Sequence, residues 1–312
     1  MKKGFKRLGI IVLTVLATVA VFDFALGKTL DWMLPQISNQ GDTGKTYYSL
    51  YDVDTPAVIV GSSRAAYHYV TQMVEDSLGM PAYNVGRSGC FYDYNCCVMN
   101  SILDRYAPEV LIWECDRNSF YVGIDDPLEG LYPYYGTNQW ATETIREELP
   151  WTEQVRLTSR TYRYNSSVLK VLMRYISRRS FVDGTQKGYQ SLDPATSKKS
   201  LTLLTEPASE RAISETKVAR FDAILQRAEE MGVKLIVADS PRYQIASKDN
   251  PSAEKMKEIC SKHGVLYLEN TEMQYFLDHP ELFHDESHLN DNGARAYTEI
   301  VIGQIKKYCS AD

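Results

Sequence analysis

The chain has 312 residues, 44% hydrophobic and 24% charged, which suits one large folded domain or two small ones and excludes the disordered and fibrous classes. Its 40 acidic side chains outnumber 34 basic ones, and a net charge of −6 leaves no positive field to hold a nucleic-acid backbone, so nucleic acid is excluded as a partner. Tyrosine, with 22 copies against 9 phenylalanines, points instead to flat hydroxylated ligands such as sugars, because its ring offers both a face and a hydroxyl.

Lys2, Lys3, Lys6 and Arg7 precede an almost wholly apolar run, residues 8–26, whose single charge is Asp23. Nineteen residues at ~1.5 Å each reach about 28 Å, the thickness of a bilayer's hydrocarbon core, if Asp23 and Lys28 sit near the far interface. A cleaved signal peptide is the rival, but it needs small residues at both −3 and −1, and Thr18-Val19-Ala20 fits poorly and lies inside the run. The expectation is an uncleaved single-pass anchor over residues 1–27 and a juxtamembrane linker over 28–54. The basic flank keeps the N-terminus cytoplasmic and places the rest outside, in the periplasm of a Gram-negative cell, with Trp32 at the interface.

From residue 55 onward short apolar runs alternate with amphipathic stretches, as a parallel sheet flanked by helices requires. Strands are predicted at 57–60, 82–85, 110–113, 233–238 and 265–268, and helices at 64–78, 90–105, 214–231, 253–263 and 292–307, with Gly232 as a C-terminal cap. The fold class is α/β, a three-layer doubly wound parallel sheet of flavodoxin-like type, in a domain over 55–312. The alternation breaks over about 119–210, where Tyr132, Tyr134, Tyr135, Trp140, Trp151, Tyr162, Tyr164, Tyr175 and Tyr189 accumulate. This reads as an insertion after the third strand, helical over 152–179 and loop over 183–208. It forms either a lid beside the crevice at the strand ends or a packing subdomain. Cys90, Cys96, Cys97, Cys115, Cys260 and Cys309 include no CxxC pair, which favours buried thiols, with disulfides unassigned.

Two motifs carry chemistry. Residues 58–64 read as a buried strand ending in Gly61, followed by Ser62, Ser63 and a helix start. That puts a hydroxyl where unpaired N–H groups and the helix dipole would stabilise an oxyanion, although serine also serves there as a plain cap. In His284-Asp-Glu-Ser-His288, Asp285 three residues before His288 can fix the imidazole in one tautomer, and His288 can take a serine's proton. His284 and His288 also have the spacing of a metal pair, but no further histidine cluster completes a site, so no metal is expected. No GxxxxGK[ST] or GxGxxG loop is present, and no cofactor is expected.

Gly61-Ser62-Ser63 after one strand, Asn84-Val85-Gly86 after a second, Asn118 after a third and Asp285-x-x-His288 before the last helix resemble, in order, the four blocks of the SGNH or GDSL-type hydrolases. The resemblance covers about 55–311 and implies Ser63 as nucleophile, His288 as general base and Asp285 as its orienting partner. It implies an oxyanion hole from the Ser63 N–H, the Gly86 N–H and the Asn118 amide. The third block reads Trp-Glu-Cys-Asp-Arg-Asn over 113–118, so Asp116 is the alternative to Asn118. Gly-Ser-Ser-Arg behind an N-terminal anchor is similar to the membrane-tethered branch, whose members handle acyl groups on envelope polymers, some beside membrane-bound O-acyltransferases. The implied partners are an acylated carbohydrate or envelope polymer, such an acyltransferase, and the membrane through residues 8–26. Two functions follow: an extracytoplasmic serine esterase or acyltransferase working through acyl-Ser63, or a non-catalytic envelope protein that binds glycan or scaffolds a transferase.

Overall fold

The computed structural model describes residues 2–124, 126–165, 167–179, 186–194 and 201–309, and it resolves the chain into two compact units. One joins residues 1–47 to 128–181, and the other joins 48–127 to 182–312.

In the first unit, α1 (Lys2–Met33) is a single helix that runs through the expected boundary at residue 27. Residues 8–22 are all exposed, and the helix is long and apolar enough to cross a membrane, with a mean hydropathy of 2.4 in its most apolar window. Beyond that run it acquires a packed face. Asp23 accepts hydrogen bonds from Ser159 Oγ (2.6 Å), Arg160 N (2.9 Å) and Thr161 N (3.0 Å), so the charge within the apolar run has partners. Asp31 accepts from Arg160 Nη1 (3.0 Å) and the Tyr164 hydroxyl (2.7 Å), and a side chain at Gly27 would collide with Arg160. Three further helices complete the unit's inserted part: α6 (Gln139–Glu148), α7 (Trp151–Arg156) and α8 (Val168–Ser177), while α2 (Gly41–Tyr47) follows α1.

The second unit is a mixed α/β body around a five-stranded parallel sheet. Its strands are β1 (Ala57–Val60), β2 (Ala82–Asn84), β3 (Val110–Glu114), β5 (Lys234–Asp239) and β7 (Leu266–Glu269), in the order β2-β1-β3-β5-β7. The pairs β4 (Leu204–Thr205) with β6 (Gln244–Ile245) and β8 (Phe283–Asp285) with β9 (His288–Leu289) stand apart. Side chains alternate across the sheet. Ile59, Ile112, Ile236 and Leu268 face a core with Tyr69, Val74, Tyr297 and Val301 from α3 (Ser63–His68), α4 (Thr71–Leu78) and α12 (Asp291–Cys309), Tyr69 following α3 directly. On the other side Trp113 meets Tyr92 of α5 (Tyr92–Arg105) and Phe221 of α9 (Glu215–Glu230), and α10 (Pro251–Lys262) packs on α9. A short helix α11 (Gln274–Leu277) precedes the β8–β9 hairpin. The strand order turns back between β1 and β3, which opens a crevice at the carboxyl ends of those strands.

The expected strands lie within a residue or two of their predicted places. The expected helix 64–78 is broken at Tyr69 and Val70, because the Thr298 hydroxyl accepts from Val70 N (2.9 Å) and takes that donor out of a helical ladder. Ser214 and Asn250 cap α9 and α10 with their side chains, and Gly232 adopts φ +69 at the end of α9, as a C-terminal cap requires. Helices α7 and α8 fall in the region expected to be helical, separated by a 3-10 turn, Tyr162–Tyr164. Of the expected loop over 183–208, residues 183–185 and 195–200 lie outside the described set. Cys90, Cys96, Cys97, Cys115 and Cys260 are buried free thiols, and the Cys309 side chain lies outside the described residues.

Gly61 is a tight point of the sheet's carboxyl edge. Its φ is +153, and a Cβ there would stand 2.7 Å from both Ala65 Cβ and Glu114 Cβ. Gly61→Ala should therefore cost about 2–4 kcal/mol of unfolding free energy. Urea denaturation measures it, and a loss below about 0.5 kcal/mol would contradict the packing described.

Candidate active site

At the end of β1, Gly61 turns the chain so that Ser63 opens α3. Ser62 occupies the N-cap position, yet its hydroxyl bonds no backbone N–H of the helix, so capping is not its role. The first N–H groups of α3 have no helical carbonyl four residues back to bond. From the far end of the sequence, the β8–β9 hairpin brings Asp285 opposite His288.

The three predicted residues meet. His288 Nε2 lies 2.8 Å from Ser63 Oγ, and His288 Nδ1 lies 2.9 Å from each oxygen of Asp285. An ionised carboxylate only accepts, so Nδ1 carries the proton and Nε2 is left to accept from the serine hydroxyl. Asp285 also accepts from the backbone N–H of Ser287 (2.8 Å) and His288 (2.9 Å). Burial pushes its carboxyl up, but the His288 ring and these N–H groups outweigh burial and hold it below the ordinary 3.8. With both ring nitrogens of His288 engaged here, the His284–His288 metal pair finds no support. Among the described residues no three acidic, histidine or cysteine side chains converge as metal ligands.

Two of the three predicted oxyanion donors, Gly86 and Asn118, are engaged elsewhere. The Gly86 N–H donates to Asn84 Oδ1 (2.9 Å). Gly86 serves packing instead, since a Cβ would stand 2.6 Å from Ala65 Cβ and 2.7 Å from Ala66 N. Asn118 donates from Nδ2 to Glu206 Oε1 (2.6 Å) and accepts from Asn250 Nδ2 (2.9 Å). A tight turn in which Asn118 N bonds Asp116 Oδ1 (2.9 Å) swings it away, and Asp116, the alternative third-block residue, lines the cleft beside Ser63. That cleft measures about 350 Å³ and takes its walls from the second unit. Three polar side-chain atoms of cleft residues have no partner: Asn95 Oδ1, Trp113 Nε1 and Arg242 Nε.

A charge cluster invisible to the motif reading supports the site. Arg64, the residue after Ser63, is buried, and its guanidinium reaches Asp239 (2.5 Å), Glu114 (3.3 Å), Asp116 (3.2 Å) and the Ser240 carbonyl (3.1 Å). Arg242 pairs with Asp116, and the Thr271 hydroxyl donates to Asp239. Glu114 accepts from the Tyr69 hydroxyl (2.5 Å) and from Ser240 N (3.1 Å) and Oγ (2.8 Å). Because Ser240 Oγ donates to Glu114, it accepts from His68 Nδ1 (2.8 Å), which leaves His68 Nε2 to accept the Leu289 N–H (3.0 Å). His68 is thus neutral, held well below its ordinary 6.5 by burial and by the charges of Arg64, His288 and Arg242. Six residues of α3 therefore carry Ser63 at one end and, at the other, the group that anchors the residue after His288. No motif marks His68 or the 239–243 turn in the sequence. Two buried apolar strands ending in Glu114 and Asp239 were the sequence signal that a buried cation should meet them.

In relation to known proteins, no family model and no curated protein matches the chain.

Removing Arg64 strands buried carboxylates, so Arg64→Met should lower stability by about 3–5 kcal/mol, read by urea denaturation. His68 stays neutral in the folded protein and gains a proton near its ordinary pKa when unfolded, so the unfolded state binds more protons below 6.5 and stability falls with pH there. Relative to His68→Asn, the wild type should lose up to about 1.4 kcal/mol for each pH unit between about 6 and 5. Parallel pH profiles of the two proteins would contradict the assignment.

Proposed function

We propose that the protein is a membrane-anchored serine esterase or O-acyltransferase of the SGNH type, acting on short acyl groups, acetyl above all, of a carbohydrate or envelope polymer outside the cytoplasm. The observation that carries this reading is the Ser63 Oγ to His288 Nε2 contact of 2.8 Å, with Asp285 on the other ring nitrogen. Ser63 Oγ attacks the acyl carbonyl carbon as its proton passes to His288 Nε2, and Asp285 stabilises the imidazolium. The oxyanion meets the Ser63 N–H and Arg242. It collapses to acyl-Ser63 as His288 returns the proton to the departing sugar oxygen. Water or a second sugar hydroxyl then takes the acyl group by the same steps in reverse, giving hydrolysis or transfer.

The cleft suits such a ligand. Ser62, Ser63, Asp116, Arg242 and His288 give it a polar lining that suits a hydroxylated ligand, and Phe91, 44% exposed, supplies an apolar wall. A volume of about 350 Å³ holds a sugar ring with a short acyl group, not a long alkyl chain. The apolar α1 supports a single-pass anchor with a cytoplasmic N-terminus and a periplasmic or otherwise extracytoplasmic second unit. A membrane-bound O-acyltransferase is the partner that would hand over or receive the acyl group. One observation favours a second reading, a non-catalytic glycan-binding or scaffolding protein: the Gly86 N–H and the Asn118 amide are both engaged away from any oxyanion.

The two readings part in the release of p-nitrophenol from p-nitrophenyl acetate. Ser63→Ala and His288→Ala should each lower kcat/KM by about 10³–10⁴, and Arg242→Ala by about 10²–10³. A Ser63→Ala protein as fast as the wild type removes the enzymatic reading.

A further inference from the structure

From the first unit we infer that residues 151–179 form a second membrane contact, a collar at the Asp23 end of α1 whose apolar side chains enter the bilayer interface among anionic phospholipid headgroups. The inference rests on the reading that α1 crosses a membrane.

The most apolar 18-residue stretch of α1 is wholly unburied and spans ~27 Å at ~1.5 Å per residue, close to a ~30 Å hydrocarbon core. Beyond Phe22 the helix is gripped: 159–161 bond Asp23, Arg160 packs over Phe24, and Tyr175 of α8 lies on Trp32 with ring centroids 5.4 Å apart. The level at which the bare helix ends is therefore the level at which the collar begins.

The collar presents apolar surface of its own at that level. Helix α8 turns Val171 inward and leaves Leu169, Met173 and Ile176, spaced i, i+4 and i+7, on one exposed face. Trp151 and Val155, one turn apart on α7, are exposed too, and these five side chains are between 55% and 80% accessible. Met173 and Ile176 line an open cavity of about 680 Å³ together with Lys170, Arg174 and residues 40–43. An amphipathic helix in a bilayer interface buries such an apolar face by ~5–10 Å.

The charge pattern selects the lipid. Residues 156–179 carry seven basic side chains and no acidic one, in a chain of net charge −6. Lys170, Arg178 and Arg179 flank the apolar face, where long cationic side chains reach phosphate while their stems stay in the apolar layer. A protein groove would not require so one-sided a charge.

Full-length protein carrying p-benzoylphenylalanine at one position, reconstituted in nanodiscs of phosphatidylcholine with phosphatidylglycerol, tests this. The positions are Leu169, Met173 and Ile176 on the collar, Leu16 on α1 and Glu258 on α10 as an aqueous control. After irradiation, intact-mass analysis counts lipid adducts. The expected result is adduct at Leu16 and at all three collar positions, about tenfold or more above Glu258, with collar yields falling in phosphatidylcholine alone. Adduct at Leu16 with collar positions at the Glu258 level overturns the collar and leaves the anchor standing. No adduct at Leu16 overturns the anchor and the collar with it. Collar adducts to a protein in place of lipid, on irradiation in native membranes, also overturn the proposal.

Discussion

The second unit depends on one buried guanidinium. Arg64 touches carboxylates from β3, from the turn after β3 and from the end of β5, and it directly follows the residue whose hydroxyl faces His288. A charge removed from water costs several kcal/mol unless every partner is present, so α3 has one position in which Arg64 is satisfied. That position fixes the start of α3, and with it Ser63. The same helix ends in His68, whose two nitrogens link Ser240 to Leu289 and so tie the β8–β9 hairpin to the sheet. A serine and a histidine 225 residues apart are thereby held at 2.8 Å by a buried charge cluster beside them.

The first unit obeys the same constraint in an apolar setting. Asp23 interrupts an apolar run, and three donors from 159–161 surround it. A carboxylate near hydrocarbon must be paired or be carried to water, and here the chain brings its own donors across more than a hundred residues. In both units a polar group in a costly place decides which distant segment packs against it.

How much of this was legible in the sequence follows from the range of each interaction. The five sheet strands announced themselves as short apolar runs, and Asp285-x-x-His288 was readable because a turn of four residues brings its own carboxylate to its own imidazole. Ser63 was readable because strand, glycine and helix start are contiguous. The break of the helix at Tyr69 was not, since the cause is Thr298 near the other end of the chain. Asn118 and Asp116 could not be told apart, because which of them reaches the cleft is set by bonds to Glu206, Asn250, Arg64 and Arg242 that spacing does not reveal. The pairing of residues 1–47 with 128–181 was equally hidden, although Asp23 within the apolar run was the clue that some donor would have to come to it.

The account turns on whether Ser63 is an activated nucleophile, and covalent capture tests that most directly. Full-length protein in detergent, as wild type and Ser63→Ala, is incubated with a serine-reactive fluorophosphonate and weighed intact, with circular dichroism verifying the fold of both. The account predicts one adduct on the wild type, mapped to Ser63, and none on the variant. No adduct on a folded wild type, or equal labelling of both proteins, would contradict it.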